Sequence, residues 1–303
     1  MVKLLYDSII SPFIKTPLYL MAYAIMCVFG FKKWRLFFDT YENMTSQNRV
    51  CLIKTIYLNY RTLPHKQARE LPIYVYTGVE IISLAGSISF DCEEISQGMV
   101  RWGWFHTFRS QGQTRINIRG TLKLGGGGRF LKGSEIVVWN NANLVIGRNF
   151  FIGENAIIYC WKEIVMGEYL RLSYHSQVFD TDFHYSINVS TGEVRPKDRR
   201  IQLGAYNWIG CRSTIKKGTV TPDHLIVAAA GSLLTKNYIG AVPPYSIIGG
   251  TPVKLLSTGY SRIWNQEYSR MANIDKWYME HSMEYIFSYD LSKSNINDYS
   301  TCK

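Results

Sequence analysis

The stretch from Leu203 to Lys254 reads LGAYNWIGCRSTIKKGTVTPDHLIVAAAGSLLTKNYIGAVPPYSIIGGTPVK and carries a period of six. Aliphatic or small residues return at Leu203, Ile209, Ile215, Thr221, Val227, Leu233 and Ile239, and Gly204, Gly210, Ala228 and Gly240 follow four of them. A period of six is neither the 3.6-residue turn of an α-helix nor the two-residue alternation of a half-buried strand. It fits a parallel β-helix: three short flat faces per coil, one inward aliphatic on each face, and small residues at the corners. One coil cannot bury its own stripe, so the coils must stack.

Working outward, the same period runs upstream through LVIGRNFFIGENAIIYCWKEIVMGEYLRLSYHSQVF, Leu144 to Phe179. Ile146, Ile152 and Ile158 are six apart, Met166 follows after eight, and Leu172 and Val178 return at six. The two extra residues near Cys160 to Glu163 must bulge at a corner, since the inward stripe would otherwise lose register. After Val178 the period stops for DTDFHYSINVSTGEVRPKDRR, Asp180 to Arg200, and resumes at Ile201. So long a polar insertion in a tight solenoid is expected to be functional or disordered. It contains His184.

Further upstream, IYVYTGVEIISLAGSISF from Ile73 is rich in β-branched and aromatic residues, and Ile116, Ile118, Leu122 and Leu124 alternate. These predict irregular early coils between Ile73 and Trp139. Gly125 to Gly128 form a turn; GGGGRFLKGS lacks the Gly-Lys-Ser order with which a Walker loop cradles phosphate. Before the coils, VCLIKTIYLNYR fits a short helix or a buried strand equally well. From Tyr260 to Tyr289, aromatic and apolar residues recur at spacings of three and four, which predicts an amphipathic helix packed on the coil or on a neighbour.

Residues 17–31, PLYLMAYAIMCVFGF, are uncharged, with Lys15 before them and Lys32, Lys33 and Arg35 after. A bilayer span needs about 20 apolar residues, and no small-residue cleavage site follows, so an interfacial or protein-packed helix is expected. Residues 1–70 hold ten Lys and Arg against four Asp and Glu, more than half of the chain's net charge of +11. Peripheral contact of residues 1–35 with anionic headgroups is one reading of that excess; solvated basic surface is the other. The six cysteines, with no CxxC and no tight pairing, suit scattered reduced thiols in a cytosol-like compartment.

The hexads, the loop headed by DTDFH, the NWIG segment, AAAGSLLTK, the PPYS turn and the closing GGTPVK together resemble the left-handed parallel β-helix (hexapeptide-repeat) acyltransferases, in particular the sugar and polysaccharide O-acetyltransferases. The resemblance is good over Leu144–Leu256, weaker over residues 71–143 and absent from the first seventy. It implies a mainly β prism over residues 71–256, with a helical region at 1–70, a helical extension at 257–303 and a catalytic loop at 180–200. It also implies a homotrimer with acetyl-CoA in grooves between prisms, a sugar or glycan acceptor, and no metal or nucleic acid.

By that resemblance His184 is the general base. The chemistry agrees: an alcohol attacking a thioester sheds a proton, and an imidazole of ordinary pKa near 6.5 accepts it at neutral pH. Asp182 and Asp180 are near enough in sequence to orient that ring, and Asp180 and His175 are candidates for the acceptor side. Trp208 matches the family's tryptophan near the site, and Ala230, Gly231 and Ser232 match small positions beside the pantetheine arm. Lys236 and Lys254 match basic positions that meet CoA phosphates; Ser257 stands where some relatives carry another cation. Three other activities were weighed on the same residues: N-acetylation of an amino-sugar nucleotide, a membrane-docked scaffold without catalysis, and zinc-dependent hydration of carbon dioxide by His175, His184 and His224. The expected setting is cytoplasmic, in surface-polysaccharide synthesis.

Overall fold

The computed structural model describes residues 49–105, 112–281, 284–290, 295 and 297–301. The apolar segment 17–31 and most of the basic region expected at a membrane lie outside the described residues. Among the described residues no helix is long and apolar enough to cross a membrane.

Three parallel sheets of nine, seven and five strands face one another, and the chain visits them in rotation. Phe150–Ile152 lies on the nine-stranded face, Ile157–Cys160 on the seven-stranded face and Glu163–Met166 on the five-stranded face; Arg171–Leu172 then pairs with Phe150–Ile152 one coil on. This is the parallel β-helix that the period predicts. Its core is a set of aliphatic columns fixed by register. On the nine-stranded face Trp102, Phe130, Ile152, Leu172, Ile209, Val227 and Ile248 stack inward, all at most 1 % exposed. Ile116, Ile136, Ile158, Val178, Ile215 and Leu234 do the same on the seven-stranded face. Each buried aliphatic contributes about 1.5–3 kcal/mol relative to exposure.

The inward register differs from the simple sixfold count after Val227. Leu234 is fully buried where Leu233 was expected, and Ile239 is 54 % exposed while Tyr238 is buried. The corner through Ala228–Gly231 takes one more residue than the others, which moves the inward position along by one. The glycines after the inward aliphatics serve close approach: a Cβ on Gly204 would meet Pro222 O at 2.4 Å, and one on Gly210 would meet Ala229 N at 2.6 Å. Inward-facing Thr221 is satisfied, its hydroxyl donating to Asn207 Oδ1 (2.7 Å) and accepting from Gly204 N (3.0 Å).

The predicted bulge lies at Trp161 and Lys162, between the strands Ile157–Cys160 and Glu163–Met166. The ambiguous segment before the coils is a helix, Leu52–Thr62, and it covers the open edge of the first strand. Asn59 Nδ2 donates to Ile73 O (2.7 Å), Ile73 N donates to Asn59 Oδ1 (3.2 Å), and Val75 N donates to Thr55 Oγ1 (3.0 Å). An exposed strand edge is a template for aggregation, and these side chains occupy it. At the far end Lys254–Thr258 turns back antiparallel on Ser246–Gly249.

Candidate active site

The interruption at Asp180 folds rather than frays. It leaves the corner between the seven- and five-stranded faces as a loop closed by two antiparallel bridges, Thr181 with Asp198 and Ile187 with Val194. At its tip Asn188 Oδ1 accepts from Ser190 N (2.9 Å), an Asx turn that reverses the chain. At its base Asp182 places a carboxylate oxygen 3.0 Å from Lys216 Nζ and another 2.6 Å from Lys217 Nζ, both on the next coil. Burial works against ionisation of Asp182, but Lys217 and Lys216 outweigh it and hold the carboxyl below its usual range.

His184 follows Phe183, which sits at a positive φ of 63°. Its backbone N–H donates to Asp182 O (2.7 Å), and its ring is exposed, with no hydrogen bond among the described residues. The expected Asp182 carboxylate behind the imidazole is therefore corrected: two ammonium groups beneath the loop claim it, so it braces the backbone that carries His184.

Asp180 needs a larger correction. Expected beside the acceptor or the base, it is fully buried, accepting from Trp161 N, Lys162 N and Glu163 N at 2.7 Å each. Burial pushes its carboxyl above the usual range; the three backbone donors pull it down and Asp198 pushes it up. The bulge thus creates three orphan amides, and Asp180 from the following coil satisfies them.

The remaining expected residues divide between two other places. His175 is exposed at the corner between the nine- and seven-stranded faces, at φ 56°, its Nε2 3.4 Å from Asn155 Nδ2. Ala230, Gly231 and Ser232 lie at that same corner. Ser232 is buried, its hydroxyl donating to Ala228 O (2.8 Å) and accepting from Gly250 N (3.0 Å), whereas a Cβ on Gly231 would meet open space. Lys254 is exposed on the last strand of the nine-stranded face. Lys236 belongs with His184: Asn237 beside it bridges to Val220, on the corner that carries Lys216 and Lys217. His224, at the third corner, is stacked between Tyr206 (4.7 Å) and Tyr245 (4.3 Å). His175, His184 and His224 occupy three different corners, and no cluster among the described residues could hold a metal.

Trp208 is 37 % exposed on the nine-stranded face, with the Arg262 guanidinium 5.0 Å from its ring. It lines a cleft of 870 Å³ between that face and the helix Glu267–Glu280, in the company of Arg101, Arg129 and Arg171. The predicted amphipathic helix exists there but buries none of its residues; Trp264, before it, makes the contact, edge-on to Tyr169 and Tyr206. The arginines escaped the sequence reading because the early coils vary in length. Each occupies the position just before an inward residue, Trp102, Phe130 or Leu172, a signal visible only after the coils are aligned.

No family model and no curated protein matches the chain. Among solved structures, the polySia-specific acetyltransferase NeuO is similar at 15% identity over 69% of this chain and 94% of that one, with a TM-score of 0.48. The polysialic acid O-acetyltransferase OatWY is similar at 18% identity over 68% of this chain and 95% of that one, TM-score 0.39. AntD, an N-acyltransferase from Bacillus cereus with dTDP and coenzyme A bound, is similar at 14% identity or less, over 69% of this chain and 88% of that one, TM-score 0.38. At these TM-scores the likenesses carry no argument, and the function is reasoned from the chain's own residues.

Proposed function

We propose that this chain is an acetyl-CoA-dependent O-acetyltransferase that acts on a sugar hydroxyl in surface-polysaccharide synthesis, on a left-handed prism spanning residues 71–256. The observation that carries this reading is the braced interruption of the coil, which projects one exposed imidazole, His184, from a corner rich in lysine. His184 takes the proton of the acceptor hydroxyl as its oxygen bonds to the thioester carbonyl carbon. The C–S bond then breaks, and the imidazolium returns the proton to the thiolate of CoA. Backbone N–H groups at the coil corner hold the oxyanion between the two steps.

Trp208 lies on the nine-stranded face, away from the corner that carries His184. That separation supports an arrangement in which the His184 corner of one copy meets the Trp208 face of the next, as in a homotrimer with its sites between subunits. Lys236 and Lys254 are the candidate cations for CoA phosphates, and Gly231 leaves room for the pantetheine arm. Residues 1–70 and 257–303 flank the catalytic region, the first as the candidate contact with the cytoplasmic face of a membrane.

The test is free-thiol release from acetyl-CoA by purified protein with a panel of glycans and sugar nucleotides. Acceptor-dependent release that His184→Ala abolishes is expected. No acceptor raising release above hydrolysis, or full rate in His184→Ala, refutes the reading.

A further inference from the structure

The nine-stranded face carries a second ordered feature, on its outward side. Tyr74, Arg101, Arg129, Phe151, Arg171 and Trp208 are consecutive partners in the ladder, one per strand, and form a single column across the face. Arg101 and Arg129 stand directly opposite each other on neighbouring strands, a placement that destabilises a sheet when the charges are alike. Both are half-buried, and no carboxylate pairs with either among the described residues. Arg129 lies flat against Trp104, 4.4 Å from its centroid, which fixes the guanidinium without neutralising it. Burial, and then Arg101, hold Arg129 below its ordinary pKa, as expected of a cation with a like neighbour and no counter-ion. At the far end of the column Arg262 spans Trp208, and Glu267 accepts from both its Nε (2.7 Å) and its Nη2 (2.6 Å). Glu267 is the sole carboxylate lining the cleft, and Arg262 has taken it. Three arginines thus line a roofed cleft with no acid left to answer them.

We propose that this column binds the acidic part of the acceptor, a sugar bearing two or more phosphate or carboxylate groups, laid across the strands with its reacting end at Trp208. The identification of the ligand as the acceptor rests on the transferase reading above; the anion site itself does not. Strands repeat at about 4.8 Å, so Arg101 and Arg129 fit a pair of adjacent anionic groups, and Arg171 meets a third about 10 Å beyond Arg129. Guanidinium forks match phosphate and carboxylate in two-point contact. Phe151, between Arg129 and Arg171, and Trp208, beyond Arg171, offer flat apolar faces to the sugar rings.

The experiment is calorimetric binding to the full chain, read without acetyl transfer, using UDP-glucose, trigalacturonate and the neutral maltotriose as probes. At about 50 mM salt at least one acidic probe is expected to bind roughly tenfold or more tighter than maltotriose, with affinity falling steeply by about 0.5 M. Arg101→Gln with Arg129→Gln should weaken the acidic probe about tenfold, and Arg101→Lys with Arg129→Lys should keep part of that loss at bay, since charge persists while the fork is lost. UDP-glucose favoured over trigalacturonate assigns phosphate; the reverse assigns carboxylate. Equal affinity for maltotriose, no effect of salt, or a loss confined to CoA binding overturns the proposal. If the glutamine variant does not fold, the salt dependence and the probe comparison on the unaltered chain still decide. Acidic probes that bind but are never acetylated leave the anion site standing and remove the transferase reading; acetylation of neutral sugars alone does the opposite.

Discussion

Removing the Asp180 carboxylate should cost the prism stability before it costs any chemistry. Asp180→Ala orphans the amides of Trp161, Lys162 and Glu163, each now 2.7 Å from a carboxylate oxygen. A hydrogen bond to a charged group is worth about 1.5–3 kcal/mol, so the gross loss is about 4.5–9 kcal/mol. Against it stands the relief of a charge that the structure buries completely, an effect of several kcal/mol that the raised pKa of Asp180 reflects. The net expectation is about 2–5 kcal/mol, within the range for breaking a buried polar network, and on the order of 5–15 °C in Tm for a coil region of this size. Asp180→Asn, which keeps one acceptor oxygen, should fall between the variant and the native chain. The assay is thermal and urea unfolding followed by tryptophan fluorescence, because Trp161 carries one of the three amides and stacks on Trp139 at 4.4 Å. An Asp180→Ala protein with unchanged Tm but selectively lost transfer would refute the reasoning and return Asp180 to the acceptor.

Other expectations follow from the same geometry. His184→Ala should lower acceptor-dependent transfer by about 10²–10⁴ while leaving circular dichroism and Tm unchanged, because the ring is exposed. The Asp182 carboxyl is held below its usual range when folded, so its brace on Lys216 and Lys217 is fully present above the unfolded carboxyl pKa and is lost as pH falls through the lower folded value. Amide exchange across residues 183–194, corrected for intrinsic rate, should therefore rise at acidic pH, and Asp182→Asn should show that faster exchange already at neutral pH. Gly210→Ala should destabilise by about 1–3 kcal/mol, since its Cβ would fall 2.6 Å from Ala229 N and Val227 O; an unchanged unfolding midpoint would refute this. Asn59→Leu should expose the first strand edge and raise aggregation, measurable by light scattering.

How far each feature could be read depended on whether one residue or a pair of distant ones defined it. The inward columns, the bulge near Cys160 to Glu163 and the position of the interruption are properties of a local period, and they were legible. The helix Leu52–Thr62 was not, because its buried face is Thr55, Leu58, Asn59 and Thr62, a polar stripe that hydrogen-bonds a strand edge instead of filling a core. The shift from Leu233 to Leu234 was hidden by a corner one residue longer than its neighbours.

The sequence by itself determined the solenoid and the place where its chemistry is expected, because stacking demands one apolar residue per face and any departure from that period must leave the prism. Only the tertiary structure decided what the charged residues do. Asp180 meets the bulge from the next coil, Asp182 meets Lys216 and Lys217, and Arg101, Arg129 and Arg171 fall into one column. Each of these partnerships joins residues on neighbouring coils, and their separation along the chain is set by the lengths of the intervening corners and loops, which the sixfold period does not encode.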